Sequence, residues 1–81
     1  MEMDREYIES KVIEIIKGIL DDDINISMDS SFIEDLDIVS IEVYSMIIEI
    51  EDEFDVKIPE KTANKFAVVG DLVDYLAENV E

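Results

Sequence analysis

Apolar residues at Tyr7, Ile8, Val12, Ile15, Ile16, Ile19 and Leu20 recur at intervals of three and four, with Glu, Lys and Ser between them, which aligns them along one stripe of an α-helix. The spacing predicts a first amphipathic helix over residues 7–20. Asp21-Asp22-Asp23 should end it there, because their charges oppose the negative C-terminal pole of the helix and their side chains compete for backbone hydrogen bonds. In the next stretch Asn25, Ser27, Asp29, Ser30 and Ser31 interrupt the isolated apolar residues Ile24, Ile26, Met28, Phe32, Ile33 and Leu36. Residues 21–39 therefore read as a long loop pinned to the core by side chains, and loops of that length in a compact domain are uncommon and usually functional. Ser31 with Glu34 three residues later fits a capping box and predicts one helical turn inside the loop.

Helical periodicity returns at Ser40 or Ile41 and continues to Phe54, with Val43, Tyr44, Ile47, Ile50 and Phe54 expected to face inward and Glu42, Glu49, Asp52 and Glu53 largely elsewhere. Ile41 and Ile48 lie on a neighbouring face with Ser45 and Asp52; they either widen the core stripe or stand outside as a small apolar patch. Pro59 suits the first position of a short helix covering residues 60–65. A last helix is expected over residues 71–79, with Leu72, Val73, Tyr75, Leu76 and the following Val80 as its apolar positions. No period of two is sustained anywhere. The pattern predicts an all-α fold, a small four-helix bundle with three main helices, one short helix and a long first connection, in a single domain over residues 1–81.

Charge limits the partners of such a bundle. The chain has 81 residues, 48 % of them hydrophobic, with 23 acidic against 6 basic residues and a formal charge of −17. That surface repels nucleic acid and anionic membranes and suits partners with basic faces. There is no cysteine and no histidine, which removes the thiol nucleophile, the usual general base and the commonest metal ligand, so the chain is not expected to be an enzyme by itself. No segment approaches the roughly 20 apolar residues of a membrane span, and a soluble, cytoplasmic, monomeric protein is expected. A calcium-loop register starting at Asp23 places Asn25, Ser27, Asp29 and Glu34 at ligand positions, but Met28 stands where the sharp turn needs glycine, so no dedicated metal site is expected.

The octet Asp35-Leu36-Asp37-Ile38-Val39-Ser40-Ile41-Glu42 sets one serine where the long loop meets the second helix. Unpaired N–H groups and partial positive charge at a helix start stabilise a phosphate esterified to such a serine. By position alone Ser40 reads first as a plain N-cap, a very common role for serine.

A resemblance runs through the chain from this octet. Phe32, Asp35-Leu36, Ser40-Ile41, Glu51-Asp52-Glu53-Phe54-Asp55, Ile58-Pro59 and Gly70-Asp71-Leu72-Val73-Asp74-Tyr75-Leu76 resemble the acyl carrier protein family, including its relatives in polyketide and peptide assembly. The resemblance implies a covalent 4′-phosphopantetheine arm, derived from coenzyme A, on Ser40. Its thiol would hold acyl cargo as a thioester, a pantetheinyl transferase would attach it, and basic-faced synthases and transferases would be the partners. It further implies that Glu42, Glu51 and Asp52 are acidic contacts and that Ile41 and Ile48 are apolar ones. The chain departs from the family pattern at Val39, where aspartate usually precedes the serine, and at Ser45, a frequently acidic contact position. Asp37 either substitutes spatially for the missing aspartate or only caps the helix. If the arm has been lost, the same surface would serve an unmodified interaction module.

Overall fold

The computed structural model describes residues 4–21 and 24–80. Four helices follow in order, α1 (Arg5–Leu20), α2 (Ser40–Phe54), α3 (Glu60–Ala63) and α4 (Val69–Asn79). Among the described residues there is no strand, only one isolated antiparallel bridge between Ser31 and Val68.

Helix α1 buries Ile8, Val12 and Ile16, one residue per turn, against α2 and α4. It begins two residues before the expected start, where Arg5 bonds Glu9 at 3.0 Å and reaches Asp74 on α4 at 2.8 Å. The bond to Asp74 is the main cause raising the guanidinium pKa above its ordinary value, so a permanent cation ties the two helices. Tyr7, expected in the stripe, stands at the rim: its ring meets Phe54 edge-on at 6.5 Å and its hydroxyl donates to Glu53. The helix stops at Leu20 as expected. Asp21 follows in the left-handed region at φ 52°, and its N–H bonds the Lys17 carbonyl, the closure usually made by glycine.

The long loop is fastened to the start of α4. Phe32 N–H bonds Ala67 O at 3.1 Å, Val69 N–H bonds Ser30 O at 3.0 Å, and Gly70 N–H bonds Met28 O at 2.8 Å. A Cβ on Gly70 would sit 3.0 Å from that same Met28 oxygen, so close approach of the backbones is what requires glycine here. Ser30, buried in the junction, accepts the Ser27 N–H on its hydroxyl. The expected capping box is half right. Ser31 Oγ accepts the Glu34 N–H at 3.1 Å, but Asp35, not Glu34, returns a carboxylate to the Ser31 N–H at 2.7 Å. The Asp35 N–H also bonds the Ser31 carbonyl at 3.1 Å, so the expected single helical turn is made, and it sinks Phe32, Leu36 and Ile38 into the core.

Helix α2 contributes Met46, Ile47, Ile50 and Phe54 to the core, with Val43 half-buried. Tyr44, expected inward, is 57 % exposed, and Met46 takes its place. The other four expected positions keep their inward place; only the edge of the stripe shifts, because apolar residues occur on nearly every side of this helix. Ile41 and Ile48 are 73 % and 64 % exposed, so they form an outer patch and do not widen the core. Pro59 is the N-cap of α3 rather than its first residue, and α3 ends at Ala63, with a turn reaching Lys65. Helix α3 buries none of its residues. Helix α4 starts at Val69, two residues before the expected Asp71, because Asp71 acts from the third helical position: its carboxylate accepts the N–H groups of Ala67 and Val68 at 2.9 and 3.2 Å.

Candidate functional site

Ser40 is the first residue of α2, and Val39 is its N-cap with an extended backbone. The reading of Ser40 as N-cap is therefore corrected: its side chain is exposed and is not used to cap the helix. Valine has no acceptor to offer the helix, and only the return half of a capping box is made, with Glu42 Oε1 accepting the Val39 N–H at 3.0 Å. The N–H groups of Ser40, Ile41 and Glu42 have no acceptor among the described residues. Three open donors and the positive end of the helix thus lie in the turn that begins with the exposed Ser40, an arrangement suited to a phosphate group.

The approach to Ser40 is held from below. Ile38 is buried, and its N–H bonds the Phe32 carbonyl at 2.9 Å. Asp37, one residue earlier, is exposed with φ 51°. It makes no side-chain hydrogen bond to the α2 terminus, so the alternative that it caps the helix is corrected too.

Ser40 also borders a cavity of about 300 Å³ between α2 and α3. Val43, Ile47 and Ile58 give it an apolar floor, while Tyr44, Glu51 and Glu60 stand around it. Tyr44 donates to Glu60 at 3.4 Å across the two helices. Glu51 Oε2 accepts the Ile58 N–H at 2.7 Å and so fixes the turn that aims the chain towards α3. A second cavity of about 130 Å³, lined by Phe32, Met46 and Phe66, lies behind Val43, Ile47, Ala63 and Asn64, which border both.

Of the residues singled out in the sequence, Ile41, Ile48 and Asp52 are all exposed along α2, and their spacing of seven and four puts them on one outward face. Glu42 and Glu51 are half-buried and each holds a backbone N–H, so both shape the site as well as charging it. Tyr44, Glu60 and Asn64 were missed. A signal existed for Tyr44, which lies four residues after Ser40 and therefore on the same side of the helix; none existed for Glu60 and Asn64, whose place depends on how α3 folds back. Among the described residues no group of His, Cys, Asp or Glu is arranged to hold a metal. Asp23, which opened the calcium-loop register, lies outside the described residues. No described helix is long and apolar enough to cross a membrane.

Comparison with known proteins places this arrangement. The phosphopantetheine attachment site family matches residues 10–76. An acyl carrier protein of Borrelia garinii subsp. bavariensis is 44 % identical over 75 residues, covering 91 % of this chain and 94 % of its own. One from Clostridium acetobutylicum is 37 % identical, covering 86 % and 97 %. Among solved structures, a Mycobacterium tuberculosis protein assigned as an acyl carrier protein superposes with a TM-score of 0.84 at 31 % identity, covering 88 % of this chain and 96 % of its own. Proteins of this kind are carriers rather than catalysts. An exposed serine at an open helix terminus beside an apolar cavity, and a match over nearly the whole length, lead to one conclusion: the chain belongs to the acyl carrier protein family, whose prosthetic group is a covalently attached 4′-phosphopantetheine.

Proposed function

We propose that Ser40 carries the 4′-phosphopantetheine and that the chain presents acyl groups to the enzymes of fatty acid, polyketide or a related synthesis. The observation that carries the reading is the placement of an exposed serine in the first turn of α2, where three N–H donors are open. When bound, the arm supplies a terminal thiol on which an acyl group is held as a thioester, chemistry the chain's own side chains do not offer. Its residues position and charge. The α2 terminus favours the phosphodiester, and the cavity beside Ser40 offers Val43, Ile47 and Ile58 to the cargo. Each methylene removed from water there stabilises by about 0.8 kcal/mol.

The outward face of α2 is the docking surface in this reading. Ile41 and Ile48 supply apolar contact, Asp52 and Asp37 supply exposed charge, and Glu42 and Glu51 add theirs from fixed positions. Basic-faced synthases, transferases and the pantetheinyl transferase are its partners. A charge of −17 holds copies apart, which supports a monomer; in this reading it works in the cytoplasm and leaves catalysis to its partners.

The test is mass spectrometry after incubation with coenzyme A and a broad-specificity pantetheinyl transferase. One arm is expected on the wild type and none on Ser40→Ala. A wild type that stays unmodified, with the host's own transferase as well, overturns the reading.

A further inference from the structure

The six basic residues of the chain are unevenly placed. Lys57, Lys61 and Lys65 fall within nine residues around α3, four apart, and all three are exposed. None forms an ion pair among the described residues, whereas Arg5 and Lys11 do. In a chain with 23 acidic residues, these three lysines against Glu60 give residues 57–65 a net positive charge. Nothing in the fold needs them there, since α3 buries none of its residues.

Their position relative to Ser40 is defined. Glu60 and Ala63 of α3 and Asn64 after it line the cavity that Ser40 also borders, so Lys61 on α3 and Lys65 in the turn that ends it flank the wall of that cavity. Across the cavity, Tyr44 and Ile48 line its α2 side, and Ile41 lies next to Ile48 on the outward face. Helix α2 carries Glu42, Glu49, Glu51, Asp52 and Glu53 and no basic residue. The sign of the surface therefore changes from negative on α2, through an exposed apolar strip, to net positive over residues 57–65, where Glu60, bonded by the Tyr44 hydroxyl, is the one acid.

We propose that this α2–α3 surface is a two-signed docking face. Its partner is an enzyme that presents basic groups to α2, an apolar contact to Ile41 and Ile48, and carboxylates to Lys61 and Lys65. A uniformly basic partner meets like charge at α3, and like charges brought together discriminate against the wrong partner more strongly than matched pairs reward the right one. The sign change also fixes which way round the enzyme sits over Ser40. A second copy of this chain is the poorer occupant, because a net charge of −17 on each opposes its approach.

The inference rests on Ser40 bearing the arm, and the enzyme every arm-bearing chain must meet is its pantetheinyl transferase. The probe is therefore the host's own transferase with coenzyme A, acting on the full chain, with initial rates compared for wild type, Lys61→Gln/Lys65→Gln and Lys61→Glu/Lys65→Glu. Charge reversal is expected to lower kcat/KM about tenfold through KM, neutralisation about threefold, and 0.5 M salt to erase both differences. Thermal midpoints and circular dichroism should match the wild type, because the lysines are exposed. Unchanged or faster loading of the reversed variant overturns the two-signed face while leaving Ser40 as the attachment site; a wild type that is never loaded overturns the carrier reading itself. A salt-sensitive dimer in sedimentation that dissociates on charge reversal would instead assign the lysines to a second copy, and would also overturn it.

Discussion

At the amino-terminus of α2 the chain reads Val39-Ser40-Ile41-Glu42; at that of α4 it reads Val68-Val69-Gly70-Asp71. Each has valine as N-cap and an acidic residue at the third helical position, reaching back to backbone N–H groups. From there they diverge. At α4 the first residue is wholly buried, the second is a glycine pressed on Met28, and the N–H groups of both are taken by loop carbonyls. At α2 the first residue is an exposed serine, the second is an exposed isoleucine, and the corresponding donors have no acceptor among the described residues. The same local plan closes one helix into the core and leaves the other open for chemistry. Capping residues decide where a helix begins; the neighbours decide whether its free donors hold the protein together or face a ligand.

Exchanging residues between the two termini is the strongest way to break the contrast. Val69→Ser, which copies Ser40 into α4, should lower stability by about 2–3 kcal/mol in urea unfolding, through lost packing and an unpaired buried hydroxyl. Ser40→Val, the reverse exchange, should stay within about 0.5 kcal/mol yet abolish arm attachment in mass spectrometry. Gly70→Val should cost about 1–3 kcal/mol by driving the loop from α4, whereas Ile41→Ala at the matching position of α2 should leave the unfolding midpoint nearly unchanged. Removing the reaching carboxylates gives a smaller difference: Asp71→Ala should cost about 1–2 kcal/mol and Glu42→Ala about 0.5–1 kcal/mol, since Asp71 serves two N–H groups and Glu42 one. The smallest effect should be a gain. Val39→Asp supplies the acceptor that valine lacks and should stabilise by about 0.5–1 kcal/mol, and the initial rate of arm attachment will show whether the transferase uses that carboxylate as well.

Much of this was legible in the order of residues. The stop of α1 at Leu20, the span of α2 and the position of Ser40 follow from periodicity and from short polar residues where it breaks. Errors cluster where side chains act at a distance along the chain. Asp71 and Glu42 cap from inside their helices, so a reading that expects the acid or the serine at the boundary places α4 two residues late and makes Ser40 the cap. Tyr44 was assigned inward because an aromatic residue on a helix with isoleucine on most sides gives no unique phase. The cavity beside Ser40 was out of reach for a different reason: its far wall is α3, four residues long, whose place is set by Glu51 holding Ile58 and by Tyr75 donating to the Lys57 carbonyl at 2.8 Å. Such contacts join residues with no shared pattern.

The bond from Phe32 to Ala67 and the bridge from Ser31 to Val68 bring both ends of the intervening segment to a single neck. Everything from the turn at Ser31 through α2 and α3 leaves the rest of the chain and returns to it at one place, a closed lobe resting on the α1–α4 pair. A lobe tied at its neck gains little conformational freedom when its far end lifts, because its ends are already joined. The same neck thus fixes where the lobe sits on the α1–α4 pair, with α2 packed on α1.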